Sequence, residues 1–241
     1  MARATRRDAD KPKGRPPRRE RNFAAIREVE DGEFRRRILA AAAEIFSTRG
    51  FAAASIDEVA KRLGATKGLV YHRYRSKGEL LLDVCEDGLA AMSARLASIA
   101  ERRERAITRL TGAATLHAGD VVERLDLHRT LAGATCGTAA ASLAGGEVAA
   151  LTGIAEKRQA YDAIFTRLIE AAAAERDLPS GRDTAMLGRI FVAALDAPLT
   201  WPPATIAELA GKSDLIARQL AYFAIRGAGA SDTTLMEEFS R

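Results

Sequence analysis

The most constraining stretch of this chain is SIDEVAKRLGATKGLVYHRY, residues 55–74, because it sets where two helices start, where the first stops and how sharply the chain turns between them. Ser55 followed three residues later by Glu58 is a capping box, in which hydroxyl and carboxylate each satisfy a backbone N–H that has no partner at a helix start. Ile56, Val59, Ala60 and Leu63 form an i, i+3, i+4, i+7 apolar stripe, and Gly64 ends the helix after about two turns. Only Ala65 and Thr66 precede the next helical run, for which Thr66 is the expected N-cap. A glycine-containing turn this short joins two helices at a steep angle, so the stretch reads as a helix-turn-helix.

The flanks are helical too. Ile38, Ala41, Ile45 and Phe46 share a face upstream, and Gly50 closes that helix. Downstream, Ser76 and Glu79 read as a second capping box, opening a long amphipathic helix to about Ala100. Five or six helices follow, with breaks expected near HAGD (117–120), LAGGE (143–147), DLPSGRD (177–183) and APLTWPPAT (197–205). Alanine is abundant, β-branched runs are few and no stretch alternates apolar with polar, so the fold class is all-α.

Charge divides the chain. The net +5 is the balance of +6 on residues 1–22, +5 on 33–80, −2 on 23–32 and −4 on the remainder. A basic front on a mildly acidic body calls for an anionic polymer at one end only. In a helix-turn-helix the first turn of the second helix enters the major groove, where Lys67 can donate to guanine or to a phosphate, and Gly68 permits close approach. Ser55 and Thr66 are caps whose hydroxyls are also within reach of a phosphate.

The three-helix unit RRRILAAAAEIFSTRGFAAASIDEVAKRLGATKGLVYHRYRSKGELL, with a long helix and a helical remainder behind it, resembles the TetR family of bacterial transcriptional regulators. IDEVAKRLGATKG and YHRYRSKGEL carry the resemblance most specifically. It implies an N-terminal helix-turn-helix domain joined by a long helix to a C-terminal helical domain that binds a small molecule and forms a homodimer, with ligand releasing the DNA operator. On this reading residues 1–32 are a disordered basic arm, 33–80 the DNA-binding domain, 81–227 the ligand-binding and dimerisation domain and 228–241 a C-terminal tail. Lys67, Gly68 and Leu69 are the residues that would meet base edges. Tyr71, Arg73 and Lys77 match the family's phosphate-contacting positions, beside His72. Arg73 stands where the family commonly has histidine, and its longer cation still reaches a phosphate.

Ahead of this domain, KGRPPRR is similar to the core of an AT-hook, an extended Arg-Pro strand in a narrow minor groove. A non-specific basic tail acting by counterion release is the other reading, and both make Lys13, Arg15, Arg18 and Arg19 the expected contacts.

The C-terminal part is similar in order and spacing to a TetR subgroup that senses acyl-CoA, fatty-acid or steroid intermediates, in which an Arg-x-x-Tyr helix precedes an Asp, an apolar helix and a Trp-Pro turn. That similarity implies Arg124 or Arg129 on a ligand carboxylate or phosphate and Leu116, Leu131, Tyr161, Phe165 and Trp201 around an apolar cavity. Core packing accounts for the same side chains equally well.

Catalytic and metal-binding patterns are missing from the sequence: no HExxH, CxxC, GxSxG or Gly-rich phosphate loop accompanies His117 and His128, and no cofactor is expected. Two cysteines, no signal-peptide pattern and no run of about 20 apolar residues lead to a cytoplasmic, non-membrane expectation. The function expected is a ligand-responsive repressor released by a small apolar molecule such as an acyl-CoA thioester. Its alternatives are an efflux-gene repressor sensing a lipophilic drug and a ligand-independent DNA-organising protein.

Overall fold

The computed structural model describes residues 18–135 and 139–240, and these fall into two units, residues 1–37 and 38–241. Among the described residues there are eleven α-helices, two short 3-10 turns and no strand.

Helix α1 spans Arg18–Ala53 and leaves helical geometry at Gly50, whose φ of 74° is open to glycine without strain. Residues 18–32, expected to belong to a disordered arm, are thus helical: beyond Pro17 no breaker interrupts a run of alanine and long charged residues before Gly32. Ile38, Ala41, Ala42, Ile45 and Phe46 are buried on one face. Helices α2 (Ile56–Leu63) and α3 (Lys67–Arg73) complete the three-helix unit. The first capping box is present in full, with Glu58 N–H donating to Ser55 Oγ at 3.3 Å and Ser55 N–H to Glu58 Oε2 at 3.0 Å. Gly64 closes α2 in the left-handed conformation, φ 65° and ψ 25°. Thr66 is the N-cap residue of α3, yet its hydroxyl makes no capping hydrogen bond.

The long helix α4 (Lys77–Ala100) starts on Ser76, whose Oγ accepts from Glu79 N–H at 2.9 Å. The Glu79 carboxylate reaches back to Arg75 N–H at 2.8 Å instead of to Ser76, so the expected second capping box is only half formed. Helix α5 (Ala106–Glu123) packs against α4 and against the later helices α7 (Gly145–Ala174) and α10 (Ser213–Gly227). It runs straight through His117–Asp120, where the sequence predicted a break. Gly119 stays helical because it faces α10, where an added Cβ would lie 3.7 Å from Ala217 Cβ, and the polar side chains beside it have buried partners.

Helix α6 (Leu125–Thr135), α8 (Thr184–Leu195), α9 (Pro203–Glu208) and α11 (Asp232–Phe239) complete the chain. The breaks expected around 143–147, 177–183 and 197–205 are present. An additional one, with Gly211 at φ 76°, separates α9 from α10. The C-terminal stretch is a helix that buries Leu235. Cys85 is a buried thiol pushed up to about 12, chiefly by burial, which leaves it a packing residue. Cys136 lies outside the described residues. No described helix is long and apolar enough to cross a membrane.

Candidate nucleic-acid interface and the buried polar cluster

Helix α3 has two faces. Val70, with the C-capping Tyr74, is buried, and the Tyr74 hydroxyl donates to Asp83 Oδ2 at 2.6 Å, anchoring the helix to α4. Thr66, Lys67, Gly68, Leu69, Tyr71 and His72 are exposed together on the opposite side. Leu69 and Tyr71 are large side chains left 49% and 46% exposed. Nothing lies within 4 Å of where a Gly68 side chain would begin, so the helix can approach a flat polymer closely. Lys67 forms an ion pair with Asp57 of α2, and that hydrogen bond raises its ammonium above the usual lysine range.

Two expected phosphate contacts have intramolecular partners. Lys77 Nζ donates to the carbonyls of Phe51 (2.6 Å), Ala52 (3.0 Å) and Ala54 (2.9 Å) and sits 4.6 Å from the Phe51 ring centroid. It therefore closes the C-terminus of α1. Ser55 Oγ is engaged by Glu58. Arg73 is half-buried and borders a cleft with Glu79, Asp83 and Glu86. Lys13 and Arg15 lie outside the described residues, whereas Arg18 and Arg19 open α1, in helical rather than extended backbone.

A second concentration of chemistry lies inside the helical body. His117 of α5 is fully buried, with Nε2 3.0 Å from Asp196 Oδ1 and Nδ1 2.8 Å from the Tyr161 hydroxyl. Since a carboxylate only accepts, Nε2 carries a proton toward Asp196, and the Tyr161 hydroxyl is the partner of Nδ1. The other oxygen of Asp196 accepts from Arg158 at 2.9 Å, and Arg158 also donates to Asp162 at 2.9 Å. Burial pushes Asp162 up and works against Asp196, but the hydrogen bond from His117 and the neighbouring positive charges hold Asp196 below the usual carboxylate range. Beside it, His128 Nε2 is 2.9 Å from Asp120 Oδ2, and Arg95 donates to Asp120 Oδ1 at 2.6 Å. Burial lowers His128 despite Asp120, and Nδ1 has no hydrogen-bond partner that protonation would satisfy. The Asp120 carboxylate, raised by burial alone, is held low by His128, Arg124 and Arg95.

Helix α6 ties this cluster to the helix-turn-helix unit. While His128 faces Asp120, Asp126 accepts from Ser47 at 2.5 Å and Thr130 donates to Ala43 O at 3.1 Å, both on α1. One face of α6 therefore reads the body and another holds the three-helix unit.

Residues 38–84 match the family described as bacterial regulatory proteins, tetR family. The chain carries a TetR-family domain. Among curated relatives, a 54-residue stretch is 44% identical to the HTH-type transcriptional activator FasR of Mycolicibacterium smegmatis, covering 22% of this chain and 25% of that one. The curated relatives it matches are covered over only 19–40% of their length. Solved structures extend the likeness to the body. A tetR-family regulatory protein from Rhodococcus RHA1 is 25% identical with a TM-score of 0.64 over 82% of this chain and 98% of its own. AibR in complex with isovaleryl coenzyme A and operator DNA is 19% identical with a TM-score of 0.61, over 79% and 95%. The N-terminal helix-turn-helix and the C-terminal helical domain are those of the TetR fold.

Within this TetR fold, the residues named for an effector sit in different surroundings, and Tyr161 borders a cleft of about 420 Å³ between α4 and α7. Tyr161 and Phe165 meet at 5.9 Å between ring centroids in an aromatic core with His117 and Phe191, and Leu131 is also buried. Arg129 donates to Leu199 O (2.9 Å) and Trp201 O (2.8 Å), fixing the turn at the start of α9. Arg124 caps the end of α5, and Leu116 borders a separate cleft with α4 and α10. The open cleft of about 840 Å³ between α6, α7 and α8 is bordered instead by Arg158, Asp162, Thr166, Arg167, Arg189 and Asp196. Sequence reasoning missed this charged set. Its one signal was the spacing of Arg158, Tyr161 and Asp162, which puts two charges beside an otherwise apolar helical stripe.

Proposed function

We propose that the protein is a ligand-responsive transcriptional regulator that binds operator DNA as a homodimer and represses until an effector binds. The observation that carries the reading is the exposed strip Lys67–Leu69, Tyr71 and His72, on a helix held rigidly from behind by Val70 and Tyr74. A surface of that kind in a basic helix-turn-helix suits the major groove.

Self-association is supported by Met186 and Ile190 on α8 and Leu215, Tyr222 and Phe223 on α10, which expose a run of large apolar side chains on two helices that pack together. In a twofold dimer the recognition helices would lie roughly 34–36 Å apart, one turn of duplex. Coupling runs through α6: a ligand that moves Arg158 or Asp196 shifts the polar cluster, and α6 carries the change to Ala43 and Ser47.

For the effector, the cleft beside Arg158 favours an amphiphile whose polar head pairs with charged side chains, and an acyl-CoA thioester has that chemistry. AibR, of the same fold, is named for its complex with such a thioester. The test is an anisotropy titration on duplex from upstream of the protein's own gene against a scrambled duplex, with and without acyl-CoA thioesters. A large preference abolished by a thioester is the expected result. Equal, salt-sensitive binding unmoved by ligand would leave a DNA-coating protein, and release by lipophilic drugs instead would replace the effector class.

A further inference from the structure

The N-terminus of α4 directly follows the recognition helix, and its anion position is already filled from within the chain. Glu147, in the first turn of α7, presents one carboxylate oxygen to the Ser76 hydroxyl and the other to Ala144 N–H at 2.9 Å. These two donors, Ser76 first and Ala144 N–H second, hold the Glu147 carboxyl below the usual range. The fit is specific to a glycine: a Cβ on Gly78 would come within 2.4 Å of the carboxylate. Lys77 is turned away to the carbonyls of α1, so the Ser76 hydroxyl and the open space over Gly78 make this seat.

A free helix N-terminus presents unpaired N–H groups and a partial positive charge, and in a DNA-binding protein a backbone phosphate is the anion that would take it. We infer that the Glu147 carboxylate stands in for a DNA phosphate at the start of α4, so that docking of α7 on Ser76 and binding of DNA compete. This rests on the DNA-binding reading above. The contact ties the first turn of a body helix to the segment next to the reading head, so whatever holds α7 in place lowers affinity for DNA.

The test is anisotropy titration of the full-length protein on both duplexes, at two salt concentrations, for the wild type and four variants. Glu147→Gln removes the charge. Glu147→Asp and Gly78→Ala keep it but unseat it, the first by shortening the reach and the second by occupying the space. Glu86→Gln removes a carboxylate further along α4, together with its ion pair to Lys157 of α7, as the control for charge and for the α4–α7 tether. The three variants at the seat are expected to bind both duplexes roughly fivefold tighter, with Glu86→Gln within about twofold of wild type. Tighter binding by Glu147→Gln alone would reduce the effect to general charge and overturn the inference. Unchanged or weaker binding by all three, with lowered melting temperatures, would make Glu147 a structural cap of α7 and overturn it equally. Failure of the wild type and every variant to bind either duplex would remove the DNA-binding reading itself, a result distinct from the other two.

Discussion

His117 and Asp196, 79 positions apart in the chain, meet at 3.0 Å inside the helical body, with the imidazole wholly shielded from solvent. Their pairing is what makes a buried histidine tolerable on an otherwise apolar helix. It leaves both ring nitrogens, the Tyr161 hydroxyl and both oxygens of Asp196 with partners.

Removing His117 should therefore cost more than its volume. His117→Leu leaves the Tyr161 hydroxyl and one Asp196 oxygen buried without a partner, and is expected to lower unfolding free energy by about 2–4 kcal/mol in urea denaturation. A loss below about 1 kcal/mol would mean that water satisfies those groups.

Stability should fall in two steps as pH drops. His128 is lowered in the folded protein, so the unfolded chain takes up a proton first, and stability declines once pH passes below about 6.5. Asp120 and Asp196 are depressed, so their contribution is present above about 3.9 and disappears as pH falls through their folded values. His128→Gln, which keeps a donor for Asp120 without a titrating ring, should flatten the first step and leave the second. Chemical denaturation between pH 4 and 8 reads the first, and an undiminished slope in the variant would assign it elsewhere.

Lys77 is expected to act on folding rather than on DNA. Lys77→Met should cost about 1–2 kcal/mol of stability, since three carbonyls lose a charged donor. The salt dependence of DNA binding should hardly change. A slope shallower by about 0.9, with stability intact, would restore the phosphate contact.

At the reading face, Leu69→Ala should cut the preference for operator over scrambled duplex about fivefold with the salt slope unchanged, because an apolar side chain contributes through base contact such as a thymine methyl. A parallel loss on both duplexes would remove Leu69 from sequence readout.

Phe223→Arg places a charge in the most exposed aromatic position of the α8–α10 face, where Phe223 is 68% exposed. Sedimentation should shift from dimer toward monomer at micromolar concentration. An unaltered dimer would move the interface to another face.

The helix-turn-helix was legible because its determinants are local. Ser55, Glu58, Gly64 and the stripe of Ile56, Val59 and Ala60 act within one or two turns of themselves, and the structure places each where the spacing predicted. The same local logic misjudged HAGD. Glycine and aspartate signal a break only if water or a turn must satisfy them, whereas here Asp120 is met by His128 and Arg95 and Gly119 by the close approach of α10.

By itself the sequence determined an all-α chain, a basic helix-turn-helix with its two boundaries, and the side chains that helix presents, because periodicity, caps and charge operate over a few residues. Only the tertiary structure decided what those charges do. Lys77 as a cap, Glu147 as the anion on Ser76, and His117 joined to Asp196 all depend on contacts between residues about 25 to 79 positions apart. A lone charged or imidazole side chain looks alike in sequence whether solvent, DNA or another helix will meet it, and the packing of α4 through α8 makes that choice.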